Sequence, residues 1–256
     1  MANGAARVAA IHRHPVKSLR GESIPSAVVT ADGLAGDRQW GIRDEETGRI
    51  LTARREPSLL MASATLDAGD SPLIELPTGE RCAGPGPATD AALSAWLGRP
   101  VRLLAAVDEP PSTAEFFADA TDDASEAIEW TMPAGRFVDA LPMLLVTTAS
   151  LRKGRSLHPG GQWDVARFRP NVLIEVEGED WVEDSWCGRT AQIGTAVISP
   201  VTPCVRCTMV TRPQPDLERD LMIYKTLARH HGGTFGVWSA VGDPGTIAVG
   251  DPVQIA

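Results

Sequence analysis

A mainly β fold with a few helices, barrel-like in architecture, is what this sequence predicts. Glycine (24) and proline (20) punctuate the 256 residues so often that most periodic stretches between them are short. Apolar residues in those stretches recur at period two, the spacing of a strand. Helical spacing is sustained clearly in one late segment only.

Taken in order, Ala6 to His14 alternates as a strand that Pro15 limits. Ala27 to Thr30 is a second strand, stopped by the turn Ala31-Asp32-Gly33. Trp40 to Ile42 and Arg49 to Thr52 flank Asp44-Glu45-Glu46-Thr47-Gly48 and predict a hairpin. Asp90 is placed to cap a short helix carrying Leu93, Trp96 and Leu97, with Gly98 ending it. Ser150 opens a further brief helix. Asn171 to Glu177 puts Val172, Ile174 and Val176 on one face of a strand, and Ala191 to Pro200 and Gly245 to Ala256 repeat that texture. The clearest helix runs from about Asp216 to His231, with Leu217, Leu221, Tyr224 and Leu227 on one stripe and Gly232-Gly233 stopping it.

Composition limits the function classes. Hydrophobic residues make up 43% and charged residues 22%, which is globular. Lys and Arg number 24 against 33 Asp and Glu, a net charge of −9 that argues against general nucleic-acid or anionic-membrane binding. The longest apolar run, near Leu144, is about seven residues, against the roughly 20 needed to cross a bilayer. The opening MANGAARVAA lacks the apolar core of a leader. Cys82, Cys187, Cys204 and Cys207 are too few and too unevenly spaced for a secreted disulfide scaffold. A cytoplasmic protein is the expectation. Ala106 to Trp130 stands apart, with eight acidic residues and no basic one, and is expected to connect two units.

The strongest chemical signal is Pro203-Cys204-Val205-Arg206-Cys207. A Cys-x-x-Cys pair can be half a zinc site, which here would have to recruit Cys187 and His230 or His231 to reach about four ligands. It can be a redox dithiol, although the β-forming Thr208 to Thr211 does not supply the helix N-terminus that lowers a thiol pKa. It can also be an inert buried pair, or one working thiolate with a companion, which Arg206 would stabilise if its side chain turned inward. The second signal is cationic and polar residues in Pro- or Gly-punctuated segments: His14 to Ser18, Leu51 to Arg54, and Arg167 to Asn171. Lys supplies a point charge and Arg a planar fork, both suited to an anion. No glycine-rich phosphate loop is present, so side chains would have to hold that anion.

Together these segments resemble the MOSC family (molybdenum-cofactor sulfurase C-terminal domain) with its N-terminal β-barrel companion. HPVKSLRGES and GLAGDRQWGIRDEETGRILTARREPSLL resemble the N-terminal unit; RFRPNVLIEVEG, PCVRCTMVT and PGTIAVGDPV resemble the MOSC unit. The resemblance implies a smaller N-terminal barrel-like domain over 1–105, the acidic connection over 106–130, and a β-barrel MOSC domain over 131–256. It implies the molybdenum cofactor, with Cys207 as thiolate ligand to the metal and catalytic residue, a soft ligand suited to such a metal. Lys17, Ser18, Arg54, Asp139, Arg169 and Asn171 match its cofactor-contact positions. The sequence departs from the amidoxime-reducing branch at Ala140 and Leu141, where hydroxyl residues stand in the mitochondrial relatives. The activity implied is reduction of N-hydroxylated or N-oxide small molecules, with electrons from separate electron-transfer proteins. A Cys207 persulfide carrying sulfur, or a non-enzymatic cofactor carrier, are the competing functions.

Overall fold

Residues 6–109, 112–117 and 125–256 are described by a computed structural model. They fold as two units, one from residues up to 12, 23–35 and 141–256, the other from 13–22 and 36–140. Of the leader argument, residues 1–5 lie outside the described residues, as do 110, 111 and 118–124 of the acidic stretch. Among the described residues no helix is long and apolar enough to cross a membrane.

The first unit is built on an eight-stranded sheet. From edge to edge its strands are Val253–Ile255, Ala191–Ile193, Ala196–Val205, Thr234–Asp243, Met143–Thr147, Val172–Glu175, Arg7–Arg13 and Glu22–Ile24. The mainly β expectation holds, while the pairing runs as an open sheet rather than a closed ring. Met143–Thr147 is buried at every position, because alternate side chains feed two different cores. Met143 and Leu145 join Val8, Ile11, Val172 and Ile174 on one face; Leu144 and Val146 join Trp163, Phe168, Phe235 and Leu227 on the other.

Three α-helices occur among the described residues: α1 (Pro87–Leu97), α2 (Thr148–Leu157) and α3 (Leu221–His231). Helix α2 links the parallel strands Met143–Thr147 and Val172–Glu175. Its N-cap is Thr147, whose hydroxyl accepts from the Ser150 amide, so Ser150 lies inside the first turn instead of opening the helix. Within α2, a Cβ at Gly154 would lie 2.2 Å from the Trp163 ring, so only glycine lets that indole press against the helix. Helix α3 begins at Leu221, later than its sequence pattern suggests, because Gln214 and Leu217 close a turn around Pro215. Asp220 then caps it by accepting from the Met222 amide, and Gly232 ends it in the left-handed conformation, as expected.

In the second unit, Trp40–Asp44 pairs with Val101–Ala105. The expected hairpin survives as a turn: Asp44 Oδ1 accepts from the Glu46 and Thr47 amides, and the return leg pairs back through the Arg43–Ile50 bridge while the Ile50 amide donates to the Thr113 carbonyl. Ser63–Leu66, Pro72–Glu75 and Arg81–Ala83 form a separate three-stranded sheet. Helix α1 ends at the left-handed Gly98 but starts at Pro87, and Asp90 accepts from the Leu103 amide rather than capping. Within the acidic stretch, Thr113–Phe117 pairs with Ala127–Thr131 and sets Glu115 opposite Glu129. Arg49 pairs with both carboxylates, relieving their repulsion.

Candidate functional site

Proline shapes the approach to Cys207. Pro200 and Pro203 lack the N–H of a regular ladder, and pairing between Ala196–Val205 and Thr234–Asp243 slips register beside each of them. The strand ends at Val205, and a short 3-10 helix, Thr208–Thr211, follows Cys207. Cys204 is 3% exposed in the core with Trp163, Phe168 and Phe235, whereas Cys207 is half-buried. None of the four cysteines is in a disulfide, and among the described residues no three His, Cys, Asp or Glu side chains gather as a metal set. The zinc reading therefore loses its support, and Cys207 is the more accessible thiol of the Cys-x-x-Cys pair.

Arg206 does turn inward, but onto the backbone. Its Nε and Nη2 donate to the Phe235 carbonyl at 2.9 and 2.7 Å, and its Nη1 donates to the Phe168 carbonyl at 3.0 Å. Phe168 and Phe235 stack at 3.8 Å between ring centres, with the guanidinium over the Phe168 ring.

Phe168 leads directly into two predicted contact residues. Arg169 is buried and left-handed, with φ of 54°. Asn171 is fully buried at the start of its strand; its Oδ1 accepts from the Leu144 amide at 3.0 Å, and its Nδ2 has no partner among the described residues. A buried amide donor left open in this way costs free energy unless something accepts from it.

The second unit gathers Lys17, Arg54 and Asp139. Lys17 Nζ donates to Asp139 Oδ1 at 2.6 Å and to the Phe137 carbonyl at 2.9 Å, while Arg54 pairs with Asp139 Oδ2. Burial alone would push the Asp139 carboxyl up, but Arg54 and Lys17 outweigh it and hold the carboxyl well below its ordinary value. Burial lowers the Lys17 ammonium, and Asp139 opposes that shift. Ser18 is buried and left-handed, with φ of 69°, and its hydroxyl accepts from the Ala53 amide at 2.9 Å. Strain in non-glycine residues of this kind concentrates at working sites.

Three further groups take roles that sequence reasoning did not find. Arg167, buried in the same turn as Phe168, donates only to carbonyls. Glu183 is fully buried and accepts from the Thr147 and Ser150 hydroxyls at 2.6 Å each; burial pushes its carboxyl up against those bonds. Thr52 is 2% exposed with a hydroxyl that has no partner among the described residues. Thr52 lies in the Leu51 to Arg54 segment with nothing in its spacing to set it apart, and nothing in the acidic run around Glu183 marks one carboxylate from the next.

Residues 5–121 match the MOSC N-terminal beta barrel domain, and residues 134–254 match the MOSC domain. The chain belongs to the MOSC family. Cys207, Arg169, Asn171 and Asp139 fall in its MOSC domain, and Lys17, Ser18 and Arg54 in its N-terminal domain. Mitochondrial amidoxime-reducing component 1 of Mus musculus is 28% identical over 97% of this chain and 82% of its own length, and the Homo sapiens protein of that name matches to the same extent. Molybdenum cofactor sulfurase of Oryza sativa subsp. japonica is 26% identical over 78% of this chain but only 28% of its own. Among solved structures, the YUAD protein from Bacillus subtilis aligns over 99% of this chain and 96% of its own, at 12% identity and a TM-score of 0.48, too loose a match to carry an argument.

Proposed function

We propose that this MOSC protein binds the molybdenum cofactor through Cys207 and reduces N-hydroxylated or N-oxide small molecules. The observation that carries the reading is Cys207, a free and half-buried thiol in a segment whose other cysteine is sealed in the core. The residues present fit such a group. The unsatisfied Asn171 Nδ2 awaits an acceptor, and the left-handed Ser18 and Arg169 are strained where family contacts are expected.

When bound, the cofactor supplies two-electron oxygen-atom chemistry at its metal. Cys207 holds that metal as a soft thiolate. Asn171 donates from Nδ2, and Arg169 offers its guanidinium to a phosphate. Lys17 uses two of its three protons on Asp139 and Phe137, leaving the third for a ligand oxygen. The Ser18 hydroxyl, held by the Ala53 amide, keeps its own proton to donate. Asp139 offsets the Lys17 and Arg54 charges, so the set attracts an anion without leaving two cations unanswered. Each N–O bond broken takes two electrons and two protons and releases water. The chain carries no ferredoxin-like cysteine run and no dinucleotide fingerprint, so the electrons come from separate electron-transfer proteins.

The test is metal content. Protein made in a cofactor-competent host is expected to hold molybdenum near one per chain, lost in Cys207→Ala. Stoichiometrically pure protein without molybdenum sinks the reading. Similarity to a cofactor sulfurase favours one alternative, a Cys207 persulfide that hands sulfur to an acceptor. Intact mass after incubation with a cysteine desulfurase decides it, since a persulfide carrier gains one sulfur on Cys207.

A further inference from the structure

Arg206 and Arg167 have no part in the proposed chemistry, yet both are buried cations, one next to Cys207 in sequence and the other two residues before Arg169. Arg206, just before Cys207, reaches across to the Phe168 carbonyl at 3.0 Å and grips the Phe235 carbonyl with two donors. Arg167, just before Phe168, reaches the opposite way. Its Nη1 donates to the Val210 and Arg212 carbonyls at 3.2 Å, and its Nη2 to the Glu218 carbonyl at 2.7 Å. Each segment thus supplies the guanidinium that satisfies the other's backbone.

We propose that Arg167 and Arg206 are positioning residues that form a reciprocal clamp, fixing Cys207 and the Arg169 turn before any ligand arrives. The role in ligand binding rests on the reading of Cys207 as metal ligand; the clamp itself does not. Among the described residues, every hydrogen bond the two guanidiniums make is to a backbone carbonyl. Burying two cations that no carboxylate hydrogen-bonds is costly, even with Asp220 and Asp164 near Arg167, and simple packing would be served by apolar side chains. What the planar fork adds is direction: several donors at fixed angles hold separate carbonyls at once, which a lysine point charge cannot do. A ligand set held in advance loses less freedom on binding.

The clamp is tested in cofactor-free protein by peptide-resolved alkylation of Cys207 with iodoacetamide. Arg206→Lys and Arg167→Lys keep the charge and lose the fork. Ile193→Val weakens the core of the same unit away from the clamp. With folding checked by thermal melting, Cys207 is expected to label about tenfold faster in each lysine variant, since charged hydrogen bonds restrain the loop. Ile193→Val is expected to label at the wild-type rate. Wild-type labelling in the lysine variants, or an equal rise in Ile193→Val, overturns the clamp. Should the lysine variants fail to fold, amide exchange on the wild type decides. The Val210 and Arg212 amides donate to the Cys207 and Met209 carbonyls, so their exchange reports whether the turn that Arg167 grips stays closed: protection like that of Met143–Thr147 supports the clamp, and exchange at open-loop rates refutes it. Metal content separates the two readings. Molybdenum-free wild type sinks the proposed function and leaves the labelling result standing. Wild-type metal content in the lysine variants removes the clamp's role in ligand binding.

Discussion

At the scale of single residues, two of the proposed contact positions, Ser18 and Arg169, carry left-handed backbone without being glycine. A non-glycine residue in the left-handed region costs about 1–2 kcal/mol, and Ser18 accepts that cost while its hydroxyl takes only one amide. Comparing Ser18→Gly with Ser18→Ala isolates the backbone contribution, because both remove the hydroxyl. Ser18→Gly is expected to be the more stable by about 1 kcal/mol in denaturant unfolding, and both are expected to lose cofactor. Asp139 tests the charge balance. Asp139→Asn leaves Lys17 and Arg54 buried side by side and is expected to cost about 3 kcal/mol, the low end for breaking a buried pair, because the Asp139 side chain is 33% exposed. The same unfolding measurement checks it. Lys17, Ser18 and Arg54 were legible in sequence as polar residues in punctuated segments. The direction of Arg206 was not, because a sequence does not reveal which carbonyls lie unpaired nearby.

At the scale of elements, local propensity and packing part company in α2. Alanine is the better helix former, worth about 1 kcal/mol over glycine in a helix interior, so propensity alone favours Gly154→Ala. The Trp163 ring leaves no room for the added carbon. Gly154→Ala is therefore expected to lower stability by about 1–3 kcal/mol, the cost of overpacking, read as a fall in melting temperature. The same tension explains which boundaries the sequence hid. Leu217 fits the α3 stripe by spacing, yet it closes a turn with Gln214 and never enters the helix. The glycine stops at Gly98 and Gly232 were legible because left-handed conformations favour one residue type. Helix starts were less so, since caps compete with long-range partners such as the Leu103 amide that takes Asp90.

At the scale of the whole molecule, titrating groups pull stability in opposite directions. Asp139, held below its ordinary 3.8, contributes stability above that value that fades as the solution is acidified through its folded pKa. Glu183, pushed up from 4.5 by burial, does the reverse: the folded state binds its proton more tightly, so stability falls as pH rises from 4.5 to the folded value. Burial by itself would lower His231, but bonds to Asp184 and Thr234 outweigh it and raise the group above 6.5. Its contribution is complete below 6.5 and is lost as pH rises through the folded value. Stability is thus expected to peak on the acid side of neutrality, and Glu183→Gln is expected to flatten the decline above the peak. Unfolding midpoints across the pH range check both. The β class was legible from punctuation and period; the pairing of distant strands was not, since register across a hundred residues leaves no local trace.

That distant pairing has a consequence for synthesis. Gly245–Ala248 zips onto Ser26–Thr30, and the Val8 amide bonds to the Asp251 carbonyl. A nascent chain must therefore hold Ser26–Thr30 without its Gly245–Ala248 partner until that segment has been made, while 36–140 has already emerged. Chaperone capture during translation should accordingly fall on the first strands and not on that inserted span.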